Sequence, residues 1–192
     1  MKTLVLGASG ATGKLVVSQL VERDITARIV VREIPKLPAD ISNNKNVEIV
    51  TGNIDEFKAD RIQELIQDCD SVICCLGHNI SFKGMFGPPH KLVVNAVTKI
   101  SNAILTIQES KKLILMSTTA YTNRKQGEEN TFGEKLVFSL LKILLPPHKD
   151  NMLAGDYLVY GVDASSFIEW VAVRPDGLFD EENESEYEIH ES

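Results

Sequence analysis

The sequence predicts an α/β fold of three layers, in which one doubly wound parallel sheet lies between two layers of helices. Short β-rich runs alternate with helical stretches along the chain, as parallel βαβ units require. A glycine-rich turn stands where the first strand passes into the first helix. Because crossovers between parallel strands are right-handed, we expect the strand order 3-2-1-4-5-6 of a Rossmann-type sheet.

The elements follow from periodicity and turn signals. Strands are predicted where β-branched and apolar residues cluster, over 4–6, 26–31, 47–50, 71–76, 112–116 and 168–173. Helices are predicted over 11–23, 61–67, 88–110, 134–145 and 149–162. The helix over 134–145 is apolar around most of its circumference, so we expect it to be buried on two sides. It would then form the wall of a substrate pocket or a contact between subunits.

The chain length suits one domain, which we place at residues 1–180, followed by an acidic tail over 181–192. Sheets of this kind often continue past a sixth strand. The chain is therefore expected to be either a truncated piece or the shortest form of its fold. The glycine-bearing loop over 82–89 is predicted to act as a lid.

Composition narrows the possible functions. The formal net charge is -7, and an acidic chain gains nothing from counterion release, so nucleic acid is not an expected partner. Three cysteines without framework spacing indicate a reducing compartment, and the four histidines show no metal-ligand spacing. The sequence has neither a signal peptide nor an apolar run of roughly 20 residues that could span a membrane. We therefore expect a cytoplasmic protein without membrane contact.

The strongest motif is the turn Gly7-Ala8-Ser9-Gly10-Ala11-Thr12-Gly13-Lys14. Gly7 permits the sharp exit from the strand, Gly10 leaves room for a pyrophosphate, and Gly13 lets the helix pack closely. Ser9, Ala11 and Thr12 are small, as a close approach requires, and the helix amides then face the anion. A P-loop would need glycine at position 8 and a hydroxyl at position 15, where Ala8 and Leu15 stand. The turn therefore predicts a dinucleotide site.

The end of the second strand indicates which dinucleotide binds. NAD-binding sheets place an acidic residue there to accept from the ribose hydroxyls, whereas this sequence has Arg32. A guanidinium suits a 2′-phosphate, so we expect NADP, with NAD as the weaker alternative. Lys36 could add a second phosphate contact, and Glu33 could favour either cofactor. Arg32 could also be a solvated loop charge.

Two further strand ends belong to the predicted cofactor site. Asn53 and Ile54 follow the third strand, where an adenine would receive a polar and an apolar contact. Leu76, Gly77 and His78 follow the fourth strand, beside the switch point of the sheet. His78 could line the cleft or be a structural histidine.

These motifs resemble the atypical short-chain dehydrogenase/reductase superfamily, in its NmrA-like and biliverdin-reductase-B-like branch of NAD(P)-binding proteins. The matching residues lie in segments 7–13, 31–32, 51–54, 75–77, 116–118 and 173–178. The resemblance implies cofactor contacts at the glycine turn, Arg32, Asn53-Ile54 and Leu76-Gly77, and places the segment of Pro175 near the nicotinamide. Two departures stand out. Asn53 replaces the usual Asp, and the segment before the sixth strand (147–153) lacks the Tyr-x-x-x-Lys of extended members.

Hydride transfer needs no protein nucleophile, so the chemistry could proceed without that pair. Ser117, Tyr121 and His148 are the candidate catalytic residues, and Ser117 could also contact the cofactor because it ends the fifth strand. The sequence predicts an NADPH-dependent reductase of a small conjugated acceptor such as a flavin or quinone. The alternative is a non-catalytic redox sensor that regulates a protein partner, and a homo-oligomer is also possible. An epimerase or dehydratase is the least favoured hypothesis.

Overall fold

The computed structural model describes residues 1–78, 87–162, 165–175, 178 and 186–190. Six parallel strands form one sheet in the order β3-β2-β1-β4-β5-β6, which confirms the predicted fold class and strand order. Their bounds are β1 Lys2–Leu6, β2 Thr26–Val31, β3 Val47–Thr51, β4 Ser71–Cys74, β5 Lys111–Met116 and β6 Ile168–Val173. The order reverses direction between β1 and β4, so the C-terminal ends of these two strands border the switch-point crevice.

The helices cover both faces of the sheet. They are α1 Ala11–Glu22, α2 Ala39–Ser42, α3 Ala59–Ile66, α4 Leu92–Ile107, α5 Phe132–Leu144 and α6 Pro146–Tyr157, with short 3₁₀ turns at Ile34–Lys36 and Arg124–Gln126 and a π-helical turn at Leu158–Val162. Alternate residues of β1 point to opposite faces. Leu4 and Leu6 join the larger core with α3, α4 and α6, whereas Val5 joins a smaller core with α1 and α2. The three layers are thus present.

Two helices start three or more residues away from the predicted position. The fourth helix begins at Leu92 rather than at the proline pair 88–89. The sixth begins at Pro146 rather than at Lys149, because proline fits the first position of a helix, where its missing N–H costs nothing. The proline pair at 146–147 therefore starts α6 as well as ending α5. Most of the predicted lid, residues 82–86, lies outside the described residues.

The expected burial of α5 on two sides is wrong. Its large apolar side chains are between 53% and 86% exposed at Phe132, Leu136, Val137, Leu140 and Leu144. The helix packs beside α6, and these five side chains remain mostly uncovered by the described residues. Apolar composition predicted the helix but not what covers it.

Within the described ranges, no helix combines the length and apolarity needed to cross a membrane. Nor do three or more His, Cys, Asp or Glu side chains gather there in an arrangement that could hold a metal ion.

Candidate dinucleotide and acceptor site

The three glycines of the first turn have different structural tasks. Gly7 has a φ of +82°, and a Cβ there would lie 2.5 Å from the carbonyl oxygen of Cys75, just after β4. A Cβ on Gly13 would lie 2.1 Å from the Gly7 oxygen, so the helix can pack on the turn only without a side chain. A Cβ on Gly10 would meet only that same oxygen, at 3.2 Å. Gly7 and Gly13 are therefore required by the fold, whereas a side chain at Gly10 would need only a small shift of the Gly7 oxygen.

The N-terminus of α1 fits an anion. Its N-cap is Gly10, no side chain of the described residues caps it, and its first turn contains no acidic residue. Ser9, Gly10 and Ala11 are exposed, so a ligand can reach the first-turn amides. Unpaired amides and the positive end of the helix dipole together favour a phosphate group. These residues fit the pyrophosphate of a dinucleotide.

Arg32 is placed as a 2′-phosphate contact requires. It directly follows β2 at the C-terminal edge of the sheet, its side chain is exposed, and it forms no ion pair with any described residue. The carboxylate of Glu33 lies 3.2 Å from the ammonium of Lys36, and both side chains are largely exposed. Such a pair is weak, but it gives Glu33 a partner other than Arg32.

A lysine of α4 donates hydrogen bonds to the backbone of the segment after β3. The Lys99 ammonium donates to the carbonyl oxygens of Ile54 at 3.1 Å and Phe57 at 3.2 Å. The Asn53 side chain donates to Glu56 and accepts from the Asp55 amide, so its polar atoms already have local partners. Ile54 is buried in the larger core. Contact of Asn53 and Ile54 with an adenine stays a prediction.

A buried carboxylate organises the crevice after β4. Asp150 in α6 is 1% exposed, and its Oδ2 accepts from the Val93 amide at 2.7 Å and lies 2.9 Å from the His78 Nε2. Its Oδ1 accepts from the Val94 amide at 3.1 Å. Asp150 thus caps α4, whose own N-cap residue, Lys91, makes no capping hydrogen bond. Sequence analysis missed this role, because the helix was expected to begin at the proline pair 88–89 and its cap comes from a residue far away in the chain.

Leu76 and Gly77 lie at the entrance to the same crevice. Gly77 is exposed, and a Cβ on it would have no described atom within 4 Å. Contact of Leu76 and Gly77 with a cofactor stays a prediction. His78 is turned inward onto Asp150, so its described contact is a structural one.

The three candidate catalytic residues share one property. Ser117 Oγ, Tyr121 Oη and His148 Nε2 are each buried without a hydrogen-bond partner in the described part of the chain. The Ser117 amide donates to the Val173 oxygen at 2.8 Å, which fixes Ser117 where β5 and β6 end side by side. Burial raises the pKa of the Tyr121 phenol to about 12 and lowers the pKa of the His148 imidazole. At neutral pH, His148 is therefore neutral and Tyr121 is protonated.

The spacing Tyr-x-x-x-Lys does occur in this chain, at Tyr121 and Lys125, which the sequence analysis overlooked. The two residues are not on one helix, since only Arg124–Gln126 form a 3₁₀ turn there. The Lys125 ammonium donates to the Val159 oxygen at 3.5 Å. Burial raises the pKa of Tyr121, and the positive charge that partly opposes this effect belongs to Arg174. The usual Tyr and Lys pair of extended members is therefore not assembled at this position.

Arg174 anchors the chain segment after β5. Its guanidinium donates to both oxygens of Glu128, at 2.7 and 2.8 Å, and to the carbonyl oxygen of Tyr121 at 2.9 Å. Glu128 in turn accepts from the Asn123 amide at 2.7 Å. This bidentate pair joins the end of β6, where half-buried Pro175 follows, to the segment that carries Ser117 and Tyr121.

A cavity of about 280 Å³ opens beside Tyr121, between the segment after β5 and helices α5 and α6. Arg124, Lys135, Phe138 and Tyr160 are among its lining residues. None of the predicted cofactor residues lines it. Of the candidate catalytic residues, Tyr121 lines it, whereas Ser117 and His148 do not.

A search of known sequences finds a relative of this chain. An uncharacterized chloroplastic protein of Arabidopsis thaliana is 27% identical over 183 residues, covering 92% of this chain. This chain spans only 59% of that relative's length.

Solved structures share the fold. The oxidoreductase ylbE of Lactococcus lactis has a TM-score of 0.68 at 19% identity, over 95% of this chain and 72% of its own. A short-chain dehydrogenase/reductase of Veillonella parvula in complex with NADP has a TM-score of 0.63 at 15% identity, over 90% of this chain and 68% of its own. A candidate NADH-flavin reductase of Streptococcus pneumoniae has a TM-score of 0.60 at 17% identity, over 91% of this chain and 71% of its own.

The family itself is established by sequence. Residues 7–192 match the NAD(P)H-binding family, which covers almost the whole chain and includes the glycine turn. The superfamily resemblance found in the sequence agrees with this match and with the shared fold. The chain therefore belongs to the NAD(P)H-binding family.

Proposed function

We propose that this chain is an NADP(H)-dependent reductase of a small conjugated acceptor. The observation that carries the proposal is the uncapped N-terminus of α1 on the same edge of the sheet as the exposed Arg32. The first offers amides to a pyrophosphate, and the second offers a guanidinium to a 2′-phosphate. Together they match the two anionic groups of NADP.

The acceptor is expected beside the ends of β5 and α6. A bound reduced nicotinamide supplies a hydride, and one proton completes the two-electron reduction of the acceptor. Ser117 and the protonated Tyr121 can donate hydrogen bonds to an acceptor carbonyl. His148, neutral because it is buried, can orient the acceptor or relay a proton from water. The names of the Lactococcus and Streptococcus proteins are in keeping with this reaction class.

A second function is favoured by one observation, the exposed apolar surface of α5. An exposed surface of this kind is typical of a protein contact. A dinucleotide sensor that transmits its redox state through α5 to a partner, or to a second copy of the chain, would bind NADPH without turnover.

Titration with NADPH and NADH, followed by nicotinamide fluorescence, tests the cofactor. NADPH is expected to bind more tightly, and Arg32→Asp should weaken its binding by about 10- to 100-fold, since a hydrogen bond to a charged group contributes roughly 1.5–3 kcal/mol. NADH binding should not weaken, because an acidic residue at this position can accept from the ribose hydroxyls. Arg23→Asp is the matched control, because Arg23 is also exposed but follows the opposite end of α1.

Oxidation of NADPH in the presence of FMN or a quinone then separates the two functions. Turnover with either acceptor supports the reductase, whereas tight binding without turnover supports the sensor. If neither nucleotide binds, both functions are wrong and the glycine turn is purely structural.

A further inference from the structure

One face of the sheet carries apolar side chains that neither hydrophobic core includes. Ile73 of β4, Ile114 of β5 and Val171 of β6 lie side by side in one cross-strand row, and Met116 and Val173 lie side by side in the next. We call these five residues the apolar patch. None of them belongs to either core, and Val171 and Val173 are 45% and 42% exposed. Parallel sheets are normally covered on both faces, so the patch lacks a covering layer among the described residues.

The sheet around the patch is covered. In the row of Ile73, the next residue is Val5 of β1, which is fully buried in the smaller core with α1 and α2. On the opposite face of the sheet, Leu113 and Leu115 of β5 are fully buried in the larger core. Their side chains alternate with those of the patch along the strand. The patch thus lies where a further layer would continue the packing that α1 begins over β1.

A row of opposite charges borders the patch. Lys112 of β5 pairs in the register with Glu169 of β6, and the two side chains form an ion pair at 3.1 Å. Each lies two residues before a patch residue, Ile114 or Val171, so both point to the face of the patch. Both side chains are exposed. Such a pair adds little to stability, but it gives β5 a positive charge and β6 a negative charge at the border of the patch.

Two copies of this face are complementary when a two-fold axis runs parallel to the strands, between β5 and β6. The β5 strand of each copy then lies over the β6 strand of the other. Lys112 meets the partner's Glu169, and Ile114 meets the partner's Val171. Two sheets pack face to face in this aligned way about 10 Å apart. An axis across the strands would instead place the charged row against the last apolar row.

We propose that the apolar patch is the interface of a homodimer, in which β4, β5 and β6 of two copies pack face to face. A second copy is the occupant that the residues favour, because it supplies both an apolar surface and opposite charges at matching positions. The interface includes neither the predicted cofactor residues nor the exposed surface of α5. It therefore depends on neither proposed function and goes beyond both by naming the surface at which two chains meet.

Sedimentation equilibrium of the full chain tests the proposal. We expect the mass of two chains. Val171→Asp should weaken dimerisation at least about 100-fold, because the interface would bury its charge without a partner. Leu136→Asp is the matched control, since Leu136 is 66% exposed on α5 and lies outside the patch, and it should leave the dimer unchanged.

Two charge variants test the two-fold arrangement itself. Lys112→Glu gives the bordering row two negative charges, and Glu169→Lys gives it two positive charges. Each variant alone should dimerise at least about 10-fold more weakly, because like charges then meet across the interface. A 1:1 mixture should recover a dimer, because the rows of the two variants attract each other. Repulsion within one chain is the same in the mixture, so the recovery reports only the contact between chains.

A monomer at every soluble concentration of the unaltered chain overturns the proposal, as does a dimer that Val171→Asp does not weaken. A dimer that only Leu136→Asp dissociates also overturns it, because the interface would then lie on α5. Should Val171→Asp fail to fold, the two charge variants decide the question, since both of their positions are exposed. A mixture of the folded charge variants that stays monomeric contradicts the two-fold arrangement and with it the proposal.

Discussion

In the first turn, Gly13 is needed for the fold, whereas Gly10 is expected to leave room for a ligand. A Cβ on Gly13 would overlap the Gly7 oxygen at 2.1 Å, whereas a Cβ on Gly10 meets the same atom at 3.2 Å and otherwise points into open space. Gly10 also has φ −80° and ψ 169°, which an L-residue adopts readily. Substitution by alanine should therefore mainly lower stability at Gly13 and mainly lower cofactor affinity at Gly10.

We expect Gly13→Ala to lower the free energy of unfolding by about 1–3 kcal/mol through overpacking. Gly10→Ala should lower it by only about 0.5–1 kcal/mol, because alanine is a poorer N-cap than glycine, while the added methyl group should weaken NADPH binding by obstructing the pyrophosphate. Urea unfolding and fluorescence titration of both variants measure the two effects. Unaltered NADPH affinity in Gly10→Ala would place the pyrophosphate elsewhere.

His148 should make stability depend on pH. Burial lowers its pKa from 6.5, so the folded state binds the proton less readily than the unfolded state. The contribution of the neutral imidazole is then fully present above pH 6.5 and is lost as the pH falls below it. Urea unfolding between mildly alkaline and mildly acidic pH should show a smaller decline in His148→Gln than in the unaltered protein. Equal declines would mean that His148 titrates normally.

At the scale of the elements, Asp150 joins three separate parts of the fold. It belongs to α6, caps α4 and contacts His78, which follows β4 and lies 72 residues before Asp150 in the chain. The sequence indicated each helix by its apolar period, but it did not indicate this contact. Local patterns carry no information about which distant side chain supplies a missing cap.

Asp150→Ala should lower the free energy of unfolding by about 2–4 kcal/mol. It leaves the amides of Val93 and Val94 without their acceptor and removes the contact of Asp150 with His78. Each unsatisfied buried group costs roughly 1–3 kcal/mol, and entering water keeps the total below the sum. Asp150→Asn should cost less because it retains one acceptor oxygen. Asp40→Ala, at an exposed position of α2, is the control for urea unfolding. A loss no larger than that of the control would mean that water replaces the carboxylate without cost.

For the whole molecule, the sequence predicted more of the fold than of the site. Strand runs, the glycine turn and the handedness of crossovers are sufficient for the sheet order, because each is a local or a general rule. The burial of Tyr121 and His148 without partners depends on how α6 packs after β5, where Gly155 lies against the Tyr121 ring. The exposure of α5 has the same origin, since neighbours rather than composition decide burial. These features could not be predicted from the sequence because they depend on packing between segments that are distant in the chain.

Cofactor binding should stabilise the whole domain, because the N-terminus of α1, Arg32 and the ends of β1 and β4 converge on one edge of the sheet. A ligand at 100 times its Kd contributes about 2.7 kcal/mol, and a domain of this size gains roughly 2–4 °C for each kcal/mol. NADPH should therefore raise Tm by about 5–11 °C, and NADH at the same concentration should raise it less. The shift should be smaller in Gly10→Ala, whose own Tm is expected to fall by only about 1–4 °C. Equal Tm shifts with NADPH and NADH would mean that Arg32 does not contact the 2′-phosphate, because only such a contact distinguishes the two nucleotides.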